Sequence, residues 1–480
     1  METKSNFLGV DNKAFEEETI EGKKKPCIGG ETVLSEVKPQ QPRPTTTADE
    51  LKDTGYAWLV VAVMFLSNVV TAGYIKSFGV IYNAVEIAYP DTSATAGGVV
   101  VALLSGCRNG LAPVVGAAAV QFGARPVMIF GIVLCSGGLF ASFFCNSVAT
   151  LAITLGAMMG TGMCAVETCQ IVVMPEYFRN KKELANSIRV AGYPLGGAAF
   201  PFFLLPFFEY FGLKLTFIIL SALFAQLAVF VFLIRPFSTH VKMAEVKKSR
   251  KEKASKSISN GAVAMDDSKL SQEKPIKAKK FDLKLFLNPI YLTHIGMIVG
   301  FSAALPHAQY FVAVYGKAIG FSLEQNSILL AYQAVLDSFT RLLLGYMLDK
   351  KIFKKTHCFV VCLVVAGIGT AMIPASTNFW VVMFTFSIFS LGSSGYFANI
   401  NVILIDQFGE HNVASSWGFI RMIQGILNFL YPPLLGYLVD VTGSYYLTFL
   451  TMGIGLTCAG LSIASQPLVA RAAKIDMIFY

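Results

Sequence analysis

The sequence predicts an all-α polytopic membrane protein, and its composition and hydrophobic pattern carry that prediction. Of the 480 residues, 54% are hydrophobic and 14% are charged, whereas a soluble domain carries roughly 25% charged residues. Apolar stretches of about 20 residues, the length that crosses a bilayer as a helix, recur along the chain. The polar N-terminal segment lacks the apolar core of a signal peptide, so we expect a retained tail.

Twelve transmembrane spans are predicted, in two groups of six separated by a polar linker that is rich in Lys, Ser and Glu and is expected to be disordered. The predicted spans lie at residues 57–82, 96–120, 126–145, 149–174, 184–208, 213–234, 289–315, 324–348, 357–375, 378–403, 412–438 and 445–465. The predicted organisation is a disordered tail at 1–56, a six-helix half at 57–234, the linker at 235–285, a second six-helix half at 286–465 and a tail at 466–480.

Lys and Arg residues in the short loops predict the orientation. One side of the membrane has few basic residues in its loops beyond Lys214 and Lys317. The other side is rich in them and is therefore expected to be cytoplasmic, together with both termini and the linker. Basic runs of the linker, such as residues 247–251, indicate contact with anionic lipid; nucleic-acid binding does not fit a chain of membrane composition. The basic residues that define the predicted cytoplasmic side are Arg125, Arg179, Lys181, Lys182, Lys350, Lys351, Lys354 and Lys355.

Asp337 and Arg341 stand four residues apart inside the eighth predicted span, so both side chains project from one helix face. A charge in the hydrocarbon core costs at least about 2.5–3.5 kcal/mol, and such residues face the bundle interior or a water-filled cavity. By default the pair marks the path of an ion or a solute. The alternative is a structural ion pair that joins helices.

The two halves share a landmark at the end of their second span. Residues 116–123 and residues 345–350 form glycine-rich turns after spans two and eight. Counting back eight residues from Gly116 and Gly345 gives Arg108 and Asp337, which therefore occupy corresponding positions. Two pseudo-symmetric halves indicate a carrier whose solute site lies near mid-membrane and whose halves rock about that site.

Three segments narrow the prediction. Residues 53–58 (Asp-Thr-Gly-Tyr-Ala-Trp), residues 177–192 at the entry to span five and residues 432–440 at the end of span eleven all resemble signatures of one family. That family is the monocarboxylate transporter family, solute carrier family 16-like, within the major facilitator superfamily. Ser187 and Arg189 are departures from it. The resemblance covers about residues 53–465 and implies the twelve-helix, two-half fold.

The resemblance also implies roles for three charged residues. Lys76, in the outer part of span one, matches a lysine that gates substrate entry; the competing interpretation is snorkelling to the membrane interface. Asp337 and Arg341 match the family's Asp-x-x-x-Arg pair. The planar fork of Arg341 can take a carboxylate through two hydrogen bonds, and Asp337 is then expected to carry the proton.

Three further intramembrane charges lie outside the family pattern. Arg108 is in span two, Glu167 in span four and Arg189 in span five. We expect Glu167 to neutralise Arg108 or Arg189, because an unpaired buried charge is costly. The pairing is either a local salt bridge or an additional polar contact for the substrate, and the sequence leaves both open.

Span ten supplies candidate selectivity residues. Asn401 falls where the family often has an aromatic residue, which predicts a more polar pocket and a larger, hydroxylated or amino-bearing substrate. Phe397 or Tyr396 can supply the ring instead. His294 and His307 in span seven are either proton relays or ordinary interior histidines.

The sequence offers no cofactor site, no metal-ligand spacing among its nine cysteines and no enzyme motif. The leading hypothesis is a plasma-membrane transporter of a monocarboxylate or related small organic anion, coupled to a proton. The alternatives are a proton-independent facilitator of an aromatic amino acid or other polar amphiphile, and a non-transporting receptor or scaffold. The family resemblance alone implies a single-span glycoprotein partner.

Overall fold

The computed structural model describes residues 51–89, 94–235 and 283–473, together with residues 237, 239, 241–243 and 245–246. All of these lie in one compact unit that begins at Thr45. Residues 1–50 of the predicted N-terminal tail, most of the linker and residues 474–480 of the C-terminal tail lie outside the described residues. The C-terminal segment begins with a short helix, Gln466–Ala472, so helical structure extends past the predicted end of the bundle.

The N-terminal half consists of helices that correspond to the first six predicted spans. Span one is divided in two, and span two is a helix pair. Span four contains a π-helical segment, Ala152–Met158. The helices are Gly55–Lys76 and Phe78–Ala88 (span one), Ala94–Gly110 and Ala112–Phe122 (span two), Ala124–Ser142 (span three), Val148–Tyr177 (span four) and Lys182–Phe232 (spans five and six).

The C-terminal half repeats this order, and its helix starts are set by polar caps. Ser322 and Gln325 form a reciprocal capping box, and Asn288 and Asn378 accept hydrogen bonds from the first turns of their helices. The helices are Pro289–Ala304 and Ala308–Ala318 (span seven), Leu323–Asp349 (span eight), Lys355–Met372 (span nine), Phe379–Phe408 (span ten), Val413–Thr442 (span eleven) and Tyr446–Ala464 (span twelve).

The described helices make twelve crossings, as predicted. Ten helices are long and apolar enough to span a membrane, and the pair Ala102–Gly110 and Ala112–Phe122, bent by 45°, adds an eleventh. The 51-residue helix Lys182–Phe232 supplies the twelfth, because Gly212 interrupts it at φ 69° and ψ 177°, a conformation that glycine tolerates best. We call the side that holds residue 55, the turn after residue 177 and residue 232 the linker side, and the opposite side the far side.

Spans one and seven are each broken, and neither break was predicted from the sequence. Span one is interrupted at Ser77, and span seven is interrupted between Ala304 and Ala308. Pro306 accounts for the second break, because proline cannot donate the backbone hydrogen bond that a helix requires. The breaks lie towards the far side, at the level of Lys76.

The halves meet through spans five and eight and through spans two and eleven. The landmark glycines lie in these two contacts. A side chain on Gly345 would collide with Ser187 of span five, and one on Gly116 would lie 2.9 Å from the carbonyl oxygen of Ala414 in span eleven. The glycine turns noticed in the sequence are therefore places where the two halves approach most closely.

Candidate functional site

Asp337 and Arg341 form a bidentate ion pair at the middle of span eight. Nε of Arg341 donates to Oδ1 of Asp337 at 2.9 Å, and Nη2 donates to Oδ2 at 2.6 Å. The two residues are only 4% and 3% exposed. Ser394 of span ten donates a further hydrogen bond to Oδ1 at 2.7 Å. The predicted pairing within one helix turn is thus present and enclosed by protein.

Arg341 also reaches across to the other half. Its remaining nitrogen, Nη1, donates to the backbone carbonyl of Val190 in span five at 2.8 Å. The Phe397 ring of span ten lies against its guanidinium, with 4.3 Å between the guanidinium carbon and the ring centroid. A cation over an aromatic face is stabilised by the ring's quadrupole. Arg341 therefore joins spans five, eight and ten at one point.

Lys76 lies at the break in span one, towards the far side, and its side chain reaches across to the C-terminal half. Its ammonium hydrogen-bonds the side-chain oxygen of Gln309, at the break in span seven. Gln309 in turn donates to Gln333 of span eight at 2.6 Å. Lys76 thus points into the space between the halves, an arrangement that snorkelling towards lipid does not require.

Glu167 holds a second cluster of charges, which we call the Glu167 cluster: Arg108, Glu167 and Arg421. Nε and Nη2 of Arg108 donate to Oε1 of Glu167 at 2.9 and 2.7 Å. Arg421 of span eleven donates to the other oxygen, Oε2, at 3.0 Å. The expected pairing of Glu167 with Arg108 is present, and the cluster bridges the two halves through Arg421.

Sequence reasoning missed Arg421 although the signal was available, because an arginine stands eight residues inside an apolar span. Arg189 is the other predicted partner of Glu167, but the structure places it beside neutral side chains. Its guanidinium donates to the neutral side chains of Asn186 at 2.8 Å and Gln170 at 3.4 Å. It is 2% exposed, and its Nε has no hydrogen-bond partner among the described residues. Glu167 therefore makes its ion pairs with Arg108 and Arg421, and not with Arg189.

The three candidates in span ten occupy different surroundings. Phe397 lies on Arg341, as described above. Tyr396 stacks on Phe301 with 3.9 Å between ring centroids and is 3% exposed, so it faces the core of the C-terminal half. Asn401 donates to Asn186 of span five at 3.1 Å, on the linker side of the ion pair. Of the two predicted rings, only Phe397 touches the charged site, and Asn401 lies in the contact between the halves.

The two histidines of span seven also lie in different environments. His294 is fully buried and hydrogen-bonds Gln407 at 2.7 Å and Gln466 at 3.2 Å, inside the C-terminal half. This is the environment of an interior histidine with polar partners. His307 lies at the break in span seven, and its buried Nε2 has no hydrogen-bond partner among the described residues.

Ion pairs between the halves close the linker side. Lys355 of span nine pairs with Glu183 of span five and with Asp406 of span ten, the latter at 2.6 Å. The backbone N–H of Glu183 donates to Asp349 at the end of span eight at 3.2 Å. Lys182 pairs with Glu410 at 3.1 Å. Within the part of the chain that the structure describes, no group of three or more His, Cys, Asp or Glu side chains can hold a metal ion.

Comparisons with known proteins agree with this architecture. The family model of the Major Facilitator Superfamily matches residues 57–356 and 309–467. Monocarboxylate transporter 1 of Rattus norvegicus is 28% identical over 436 residues, which cover 88% of each chain. Monocarboxylate transporter 2 of Homo sapiens is 26% identical over 424 residues, which cover 85% of each chain.

Solved structures show the same fold at low sequence identity. The proton:xylose symporter XylE superposes with a TM-score of 0.64 at 14% identity, covering 85% of this chain and 94% of that one. The human organic anion transporter MFSD10 gives a TM-score of 0.60 at 12% identity, covering 85% and 99%. The crossings, the two halves and these similarities lead to one conclusion: the chain is a multi-pass membrane transporter, not an enzyme, and belongs to the Major Facilitator Superfamily, where it is similar to the monocarboxylate transporters.

Proposed function

We propose that the protein moves a monocarboxylate or a related small organic anion across the membrane together with a proton. The observation that carries the proposal is the bidentate Asp337–Arg341 pair, in which Asp337 already presents to Arg341 the group that a substrate would present. A carboxylate substrate fits the same fork. Protonation of Asp337 removes its charge and leaves the guanidinium for the substrate.

Charge balance gives the reason for coupling. A proton and a monocarboxylate that enter together add no net charge to the site. A buried ion pair that loses one member leaves a costly unpaired charge. The empty site, with Asp337 on Arg341, and the loaded site, with substrate on Arg341 and a proton on Asp337, both avoid that cost. Lys76, at the far side, attracts the anion before it reaches Arg341.

The proposed conformational cycle is alternating access between the two halves. The pairs Glu183–Lys355 and Lys182–Glu410 hold the linker side closed, and their separation opens it. We place the termini in the cytoplasm, on the support of the basic residues along the linker side, and we place the protein in the plasma membrane only through its similarity to the monocarboxylate transporters. A single-span glycoprotein partner belongs to the proposal only through similarity to the monocarboxylate transporters; co-purification of the full-length protein from its native membrane tests it.

Uptake by purified protein in liposomes tests the transport function. Labelled propionate or lactate is offered at pH 6 and at pH 7.5, and acid is expected to stimulate uptake by the wild-type protein. Asp337→Asn is expected to abolish that stimulation, whereas Asp440→Asn, at the exposed far-side end of span eleven, is the matched control. Uptake that is equally fast at both pH values would favour a proton-independent facilitator, and no uptake of any organic acid would contradict carboxylate transport.

A further inference from the structure

The Glu167 cluster is built like a binding site that one carboxylate already occupies. Each oxygen of Glu167 accepts from a different arginine, Arg108 on one side and Arg421 on the other. The side chain of Glu167 is 6% exposed, whereas those of Arg108 and Arg421 are 18% and 13% exposed. The arginines thus remain partly accessible around an enclosed carboxylate.

The interior of the bundle holds more cations than carboxylates. Among the described residues, the charged side chains more than one helical turn from a span end include two carboxylates, Asp337 and Glu167, and five cations. Three positive charges therefore have no carboxylate to match them. Lys76 is exposed, but the other four cations are buried or half-buried, where an unmatched charge is costly, so an interior of this kind favours anions that enter from outside. The five cations are Lys76, Arg108, Arg189, Arg341 and Arg421.

Separation of the two halves would leave one of these cations, Arg421, without its carboxylate partner. Arg341 carries its carboxylate partner, Asp337, on its own helix, and keeps it when the halves separate. Arg421 belongs to the C-terminal half, whereas Glu167 belongs to the N-terminal half. Separation of spans four and eleven removes Glu167 from Arg421, and a second anion is then the natural replacement. A monocarboxylate bound at Arg341 cannot supply it.

We infer that Arg108 and Arg421 form a second anion-binding centre, and that the transported substrate is a small organic acid with two anionic groups. One carboxylate binds Arg341, and the second anionic group competes with Glu167 for Arg421 and Arg108. This inference rests on the proposed function, because it assigns the first carboxylate to Arg341. It narrows the substrate class from small organic anions in general to those that carry two anionic groups.

A pair of competitors with the same carbon skeleton tests the inference on the wild-type protein. Propionate has one carboxylate, and 3-sulfopropionate adds a sulfonate that stays charged at every working pH. Both are tested as inhibitors of labelled propionate uptake in liposomes, and then as internal substrates that accelerate exchange. We expect 3-sulfopropionate to inhibit at about a tenfold lower concentration, the effect of one additional charge-assisted hydrogen bond, and to accelerate exchange.

Three substitutions test whether the preference for 3-sulfopropionate arises in the Glu167 cluster. Arg421→Gln is expected to reduce the ratio of the two inhibition constants by about tenfold, while Arg421→Lys preserves part of it. Glu167→Gln removes the internal competitor and is expected to increase the preference for 3-sulfopropionate, whereas a purely structural Glu167 predicts no such increase. Arg471→Gln, on the exposed C-terminal helix, is the control for Arg421→Gln.

The outcomes separate this inference from the proposed function. Propionate uptake without stronger inhibition by 3-sulfopropionate overturns the second centre and leaves carboxylate transport intact. A preference for 3-sulfopropionate that Arg421→Gln does not change overturns the assignment to this cluster. Absence of propionate and 3-sulfopropionate uptake contradicts the proposed function and the inference together. If a variant does not fold, the wild-type ratio alone still decides whether a second anionic group is recognised.

Discussion

Spans two and eight occupy corresponding places in the two halves, yet their charges are paired in different ways. In span eight, Asp337 and Arg341 neutralise each other within one helix, and a backbone carbonyl links Arg341 to the other half. In span two, Arg108 stands at the position of Asp337, and Ala112 stands at the position of Arg341. Arg108 therefore depends on Glu167 of span four, which it shares with Arg421 of the opposite half.

The two spans thus differ in what movement of the halves does to their charges: the Asp337–Arg341 pair lies within one helix, whereas the Glu167–Arg421 pair joins the two halves. Separation of the halves therefore does not break the pair in span eight, and in the proposed cycle a substrate carboxylate replaces Asp337 on Arg341. In the Glu167 cluster, the carboxylate neutralises Arg421 while the halves are in contact. Four predictions test this comparison, beginning with the largest expected effect.

Removal of Asp337 should destabilise the protein more than removal of Arg108. Asp337→Ala leaves Arg341 buried without a carboxylate, which costs about 3–5 kcal/mol for a buried pair. Arg108→Ala leaves Glu167 paired with Arg421, so we expect a loss of about 1.5–3 kcal/mol. Thermal unfolding of the purified proteins in detergent measures both, with Asp440→Ala and Arg471→Ala as exposed controls. Equal losses would contradict the comparison.

Replacement by lysine should damage Arg341 more than Arg421. Arg341 uses two nitrogens of its fork on one carboxylate, whereas Arg421 makes a single hydrogen bond to Glu167. Lysine keeps the charge but loses the fork. We expect Arg341→Lys to raise the KM for propionate about tenfold or more and Arg421→Lys to raise it less. An unchanged KM in Arg341→Lys would show that the substrate does not use the fork.

Lys76 is expected to act on substrate entry. Lys76→Gln removes a cation at the far side and keeps a group that can hydrogen-bond Gln309. We expect a several-fold higher KM that depends less on ionic strength than in the wild-type protein, because steering by an exposed charge is screened by salt. Lys317→Gln, at the end of span seven, is the matched control. The same salt dependence in both variants would argue against steering by Lys76.

Loss of the linker-side ion pairs of Lys355 is expected to have the smallest effect of the four. Lys355→Gln breaks the partly exposed pairs with Glu183 and Asp406, for which we expect about 1 kcal/mol or less. That shift should raise the fraction of protein open to the linker side. Labelling of Val402→Cys, buried in the closed contact, measures opening after replacement of the reactive native cysteines. Lys350→Gln is the control, and equal labelling in both variants would show that these pairs do not hold the gate.

The sequence was sufficient for the spans because each crossing needs an apolar stretch of fixed length, and hydropathy records that directly. The break at Ser77 was not predicted, because one polar Lys-Ser pair does not end an apolar span, and the break around Pro306 was missed although proline is a helix-breaking signal. Asp337, Arg341 and the Arg108–Glu167 pair were predicted from the cost of buried charge. Gln309 was missed because its partner Lys76 lies in the other half, at a sequence separation that helical periodicity does not reveal. Arg421 was missed although an arginine inside an apolar span is itself a signal of a buried charge.

The choice between Tyr396 and Phe397 shows a similar limit. Adjacent residues of a helix point about 100° apart, so one of them faces the core and the other faces Arg341. The sequence around these two rings does not say which of them meets Arg341. The contact with Arg341 decides the question in favour of Phe397.

Parallel measurement of proton and substrate flux tests the central claim, that a substrate carboxylate and Asp337 compete for Arg341, most directly. Liposomes that contain the purified protein and a pH-sensitive dye are given labelled propionate, and both fluxes are followed in the same sample. We predict one proton for each propionate in the wild-type protein and loss of the coupled proton flux in Asp337→Asn. Protein-dependent propionate uptake without proton flux in the wild-type protein, or full coupling in Asp337→Asn, would contradict the account.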